Sequence, residues 1–202
     1  MKRNNLTKPI VVALFIILLM IICVPCEAGW LIYHKSEFKG KVVDAETNEP
    51  IEGAVVVVSY TKTTMGLGAG ANTTDIDHRE TKTDKEGNFV IPSYTTFIQP
   101  FSWESRADFI IYKPGYANID NLGLEDAFST RAKKTYEVLW ISNFVFHTNL
   151  KFIISPGVVA LPKLRTVEER KLALPVISGE MSWKKLKLLM DLHHEEERNL
   201  YK

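Results

Sequence analysis

The sequence predicts a mainly-β sandwich that follows an N-terminal apolar leader and ends in a short helical tail. Three observations point there. The run Ala54-Val55-Val56-Val57-Val58-Ser59-Tyr60 is β-branched and nearly continuous, the pattern of a strand buried on both faces. Other short extended patterns alternate with Asn, Asp, Gly and Pro turn chemistry. Beyond Pro162 the apolar spacing changes to that of a helix.

The leader comes first. Lys2, Arg3 and Lys8 precede a run from Pro9 that is uncharged up to Glu27, and its core, Ile10 to Val24, is almost all Ile, Leu, Val, Phe and Met. A basic start followed by such a run is an export signal, and it places the rest of the chain outside the cytoplasm. Residues 1–28 read either as a cleaved signal peptide or as a retained anchor in the inner membrane through residues 9–25. The run is long for the first and slightly short for the second. Cys23 and Cys26 both lie in it, so the exported part has no disulfide, thiol nucleophile or cysteine metal site. Neither cysteine follows the small residue that a lipid-attachment motif needs.

From Gly29 onward 22 basic residues face 23 acidic ones. There is no basic stripe for nucleic acid and no electrostatic pull towards anionic lipid. A chain of 202 residues with 46% hydrophobic content suffices for one domain held by its core alone.

Phe38 to Asp44 is a strand pattern, Ala45 to Pro50 is turn chemistry, and the Ala54 run follows. Thr61 to Arg79 reads as a long polar loop. Glu80 to Thr83 and Asn88 to Ile91 flank Asp84-Lys85-Glu86-Gly87, and the two flanks are expected to pair as a short hairpin. Ser93 to Arg106 reads as an aromatic-rich loop. Ala107 to Tyr112 is a strand closed by Lys113-Pro114-Gly115-Tyr116. Asn118 to Ala132 reads as loop with one helical turn. Lys134 to Phe146 and Asn149 to Ile154 look extended, and Gly157 to Leu161 is the last strand. In the tail, Thr166 and Glu169 form a capping box. Ser182 can cap a helix from Trp183 to about Leu200, with Trp183, Leu186, Leu189, Met190, His193 and Glu197 near one face.

The Asp84–Gly87 stretch raises the alternative of a cation loop. With Gly87 at position six of a calcium loop, Lys82 falls at position one and Ser93 at position twelve, and neither can serve. A type I turn that starts at Asp84 and ends in a left-handed Gly87 accounts for the same residues.

Four motifs then occur in order: Phe38-Lys39-Gly40-Lys41-Val42-Val43-Asp44, Glu49-Pro50-Ile51-Glu52-Gly53-Ala54-Val55-Val56, Thr83-Asp84-Lys85-Glu86-Gly87-Asn88-Phe89 and Lys113-Pro114-Gly115-Tyr116. Together they resemble the carboxypeptidase regulatory-like domain, a transthyretin-like Greek-key β-sandwich. The resemblance covers residues 36–120, and 36–162 if the later strands complete the sandwich, which leaves 163–202 as the helical tail. It implies scaffold roles for Gly40, Pro50, Gly53, Asp84, Gly87, Phe89, Gly115 and Tyr116. It brings no catalytic residue and no cofactor, because the domain accompanies some carboxypeptidases without itself cleaving peptides.

Residues that carry chemistry are sparse. Asp75, Asp77 and His78, with Glu80, are conceivable ligands for a divalent cation, but strand alternation sets Asp75 and Asp77 opposite His78 and Glu80. Gly66-Leu67-Gly68-Ala69-Gly70 lacks the Lys and the following helix of a phosphate loop, and His193-His194-Glu195 lacks the spacing of a zinc helix. Tyr94, Phe97, Phe101 and Trp103 form either a surface for an envelope protein, peptide or glycan, or a satellite core beneath the loop. The terminal helix either packs on the sandwich, which is the expectation, or docks a partner by its apolar stripe.

The functional expectation is therefore a non-catalytic structural or binding module of a bacterial-type cell envelope, periplasmic, secreted or membrane-anchored. It would present loops 61–80 and 93–106. An accessory subunit of an envelope peptidase or transport complex is the alternative, and a metal-dependent enzyme using Asp75–Glu80 a distant one.

Overall fold

A computed structural model describes residues 31–66, 70–128, 134–142, 145–176 and 185–202. Twelve strands occur among them: β1 Ile32–Lys35, β2 Phe38–Asp44, β3 Val55–Gly66, β4 Gly70–Lys82, β5 Asn88–Ile91, β6 Tyr94–Phe97, β7 Ser102–Glu104, β8 Asp108–Tyr112, β9 Ile119–Leu122, β10 Tyr136–Ser142, β11 Val145–Ser155 and β12 Val158–Leu161. Helices α1 Val167–Leu172 and α2 Lys187–Leu200 follow. One sheet runs β10-β11-β12-β2-β5 and the other β4-β3-β8-β9, while β1 and β6 form a separate ribbon. The β12–β2 pair is parallel and the others are antiparallel.

The two larger sheets share one core in a sandwich-like arrangement. Phe38, Val42, Phe89, Ile91, Phe152, Ile154, Val159 and Leu161 come from the first sheet, and Val56, Val58, Tyr60, Phe109 and Ile111 from the second. The opposite face of β3 and β8 offers Val55, Val57, Ile110 and Tyr112, and Leu186 and Leu189 cover it. That second layer is why the Ala54–Tyr60 run has no polar alternation. Each fully buried valine in it contributes roughly 1.5–3 kcal/mol.

Several connections differ from the sequence expectation. Thr61 to Arg79 is not a loop. β3 and β4 pair from Val55↔Lys82 to Gly66↔Gly70, so the segment is a long β-arm, with β7 on the other edge of β3 at Lys62–Thr64. Its Thr-rich composition suits strands as well as turns. The Asp84–Gly87 turn forms as expected: Gly87 N–H donates to Asp84 O, Asp84 N–H to Asn88 O and Asn88 N–H to Asp84 Oδ1. Its flanks, however, do not make a hairpin. β4 stays with β3, and β5 pairs with β2, Lys41↔Asn88 to Phe38↔Ile91. The turn is a corner between sheets, fixed by Val42 N–H donating to Gly87 O and by the buried Thr83 hydroxyl, which donates to Ile51 O and accepts from Ala54 N–H.

Ser93–Arg106 likewise contains β6 and β7, and Asn118–Ala132 contains β9. The leader, Ser182 and Trp183 lie outside the described residues. Within them α2 begins at Lys187, and Glu196 rather than Glu197 turns inward.

Candidate functional site

The acidic–imidazole tract sits on β4 beside a bulge. Tyr60 pairs with Asp77 and Thr61 with Asp75, so Ile76 has no opposite residue. The extra residue shifts the alternation and brings together what the sequence set apart: His78 Nε2 lies 3.6 Å from Asp75 Oδ2. His78 Nδ1 lies 3.0 Å from Ser59 Oγ. Burial, the largest influence, lowers the His78 pKa; Asp75 and Asp77 pull it up and Lys185 pushes it down.

The neighbouring carboxylates are occupied by the protein itself. Asp77 is paired with Lys185 and lies 3.9 Å from Arg79 Nε. Glu80 reaches the start of α2, where Leu188 and Leu189 N–H donate to its two oxygens at 2.7 and 3.1 Å. α2 has no side-chain cap of its own, so Glu80 serves as a cap from a distant strand. Among the described residues no group of three or more His, Cys, Asp or Glu is placed to hold a metal ion.

The aromatic segment divides. Tyr94 is buried: its ring stacks on Tyr60 at 4.5 Å and meets Tyr33 edge-on at 5.9 Å, with Arg79 5.1 Å above it. It belongs to the core and not to a surface. Phe97, Phe101 and Trp103 are 84%, 73% and 45% exposed. Two further apolar side chains, Met65 at 64% and Ile32 at 39%, join them. Ile32 is the direct partner of Phe97, Met65 N–H donates to Phe101 O, and Trp103 faces Thr63. Neither is marked by the sequence, because Ile32 precedes the first strand pattern and Met65 falls in a segment with the composition of a loop.

A cleft of about 560 Å³ lies where β1 leads into β2, lined by His34, Lys35, Lys39, Glu104, Glu125 and Asp126 among others. Lys35 is buried, and its ammonium donates to both Glu125 oxygens at 2.9 and 3.0 Å. Glu125 also accepts from Ala107 N–H at 2.9 Å. The pair ties β1 to the β7–β8 connection and neutralises itself, so the cleft presents mixed charge rather than a nucleophile. Nothing in the sequence marks Lys35 and Glu125 as partners.

No protein-family model matches the chain, and neither do the curated proteins or the solved structures searched.

The scaffold residues lie where packing needs them. A methyl group on Gly40 would stand 2.6 Å from the Phe128 ring and 2.7 Å from Phe89. Gly87 has φ +76°, and a Cβ there would meet Val42 O at 2.5 Å. Gly53 and Gly115 occupy turns, and Pro50 bridges to Val43. Tyr116 OH donates to Asp44 Oδ2 at 3.0 Å.

Proposed function

We propose that this chain is a non-catalytic structural and binding module of a cell envelope, exported behind residues 1–28, which are either cleaved or retained as a membrane anchor through residues 9–25. In this reading its scaffold is a transthyretin-like Greek-key sandwich of the carboxypeptidase regulatory-like kind, and its contacts are made through 61–80 and 93–106. The observation that carries the reading is the placement of Phe97 and Phe101. Both are largely exposed on a framework tied by backbone hydrogen bonds to β1 and β3. Large aromatic side chains held outward on a rigid edge favour contact over catalysis. The acidic tract supports the same reading, since Asp77 and Glu80 are engaged in holding α2 and its preceding residue.

The test is intact mass combined with membrane fractionation of the chain produced in a bacterial envelope. A mass that retains residues 1–28, recovered with membranes, supports an anchored module, and in-cell crosslinking then identifies neighbours. A stoichiometric peptidase or transporter partner would convert the reading to an accessory subunit. Recovery in the cytoplasm with the leader intact would overturn it.

A further inference from the structure

We infer that the end of the molecule formed by Ile32, Met65, Phe97, Phe101 and Trp103 rests on the lipid bilayer, with these side chains in the headgroup–acyl boundary. The inference rests on the anchored form of the reading above and names the occupant of its contact surface.

Three observations converge. First, the five side chains belong to one edge. Ile32 and Phe97 are directly opposed across an antiparallel pair, so they share a face. Four residues on, Phe101 O accepts from Met65 N–H, and the span from Phe97 to Phe101 is at most about 14 Å. Trp103 pairs with Thr63, two residues from Met65. Ile98 is buried beneath and donates its N–H to Leu31 O, which pins the edge to the start of β1.

Second, the segments that meet there carry no charge. No Asp, Glu, Lys or Arg occurs from Leu31 to His34, from Thr63 to Gly66, or from Tyr94 to Trp103, in a chain that is 24% charged. Charge returns at the rim, where Lys62 pairs in register with Glu104. A water-facing edge does not exclude charge over three separate segments, whereas an interfacial one does.

Third, the edge adjoins the leader. The apolar core of the leader ends at Val24, and the seven residues from Pro25 to Leu31 span at most about 25 Å. A span anchored there delivers the Ile32 end of β1 to the membrane surface before any other part of the fold. A protein partner would have to compete with a bilayer already at hand. The near-neutral exported part makes the contact apolar rather than electrostatic, so neutral lipid suffices.

The experiment uses the full chain, shown by mass to begin at Met1, reconstituted into phosphatidylcholine vesicles with and without bromine on the upper acyl chain. Flotation reports anchoring, and tryptophan quenching by bromolipid reports depth. Wild type is compared with Trp103→Phe, which keeps the aromatic bulk. The expected result is flotation, with Trp103→Phe removing roughly a third or more of the bromolipid-quenchable signal, because Trp140 is buried in the core and leaves at most three of the four tryptophans to contribute, unchanged by high salt. Flotation with the same quenchable signal in both proteins would leave the anchored reading standing and overturn the lipid contact. If Trp103 were then also shielded from aqueous iodide, the occupant would be protein, a second copy included. Failure to float would overturn the anchored reading and this inference together.

Discussion

At Gly40 the absence of one methyl group decides whether the sheets close. The Phe89 and Phe128 rings meet edge-on at 5.0 Å directly over its Cα hydrogens, and Phe128 packs in turn against Phe109. Gly40→Ala therefore forces both rings to move in a close-packed interior, at a cost of about 1–3 kcal/mol. Urea denaturation is expected to show a lower midpoint with an unchanged slope. The double variant Gly40→Ala/Phe128→Leu should recover part of the loss, because the ring is what the methyl group meets. A midpoint equal to wild type for Gly40→Ala would sink this account. Of the scaffold glycines, Gly87 was legible as the left-handed end of a turn, and Gly40 only as a scaffold position that the resemblance implies. Which neighbour each one meets was not, since Phe128 is distant in sequence.

Among the elements, β4 and α2 are coupled most unusually. A strand carboxylate supplies the cap that the helix lacks, and Lys185–Asp77 adds a second tie next to it. Glu80→Gln removes the negative charge at the positive end of the helix while leaving one acceptor, a loss of about 1 kcal/mol. Hydrogen exchange should accelerate at residues 187–190 and stay unchanged in β8, on the far side of β3. Equal acceleration in β8 would mean that α2 and the second sheet open as one unit. The capping box of α1 was readable from Thr166-Val167-Glu168-Glu169, and the structure closes it in both directions: Glu169 N–H donates to Thr166 Oγ1 and Thr166 N–H to Glu169 Oε2. The cap of α2 was not readable, because its donors and acceptor are 108 residues apart.

For the whole molecule, pH is the informative variable. Burial lowers the pKa of His78, with Asp75, Asp77 and Lys185 facing it, and of His193, which faces Glu197 and His194. The unfolded chain then binds protons that the folded chain resists, so these groups stabilise the fold above the unfolded pKa near 6.5 and lose that contribution as pH falls. Melting temperature should decline from pH 7 to 5, and His78→Gln, which can still bond Ser59, should flatten the decline. A steeper decline in that variant would contradict the assignment. Below pH 5 the carboxylates oppose one another. Burial is also the largest influence on Asp44, acting to raise its pKa. Hydrogen bonds from Glu46, Thr47 and Tyr116 outweigh it, so the Asp44 contribution is lost in acid. Asp108 and Asp120 are raised by burial, so theirs is gained.

The sequence by itself determined the elements whose chemistry is local. β2, β5 and the first half of β3 follow from β-branched runs, the Asp84–Gly87 turn from Asp and Gly at fixed offsets, and α1 from its capping box. Only the tertiary structure decided what those elements join. It put β5 beside β2 instead of β4, made an arm of the Thr61–Arg79 segment, buried Tyr94 while leaving Phe97 outside, and turned Glu80 from a conceivable metal ligand into a helix cap. Periodicity records which face of an element is apolar. It does not record which neighbour covers that face, because the partner is chosen by shape and hydrogen bonding between residues far apart in the chain.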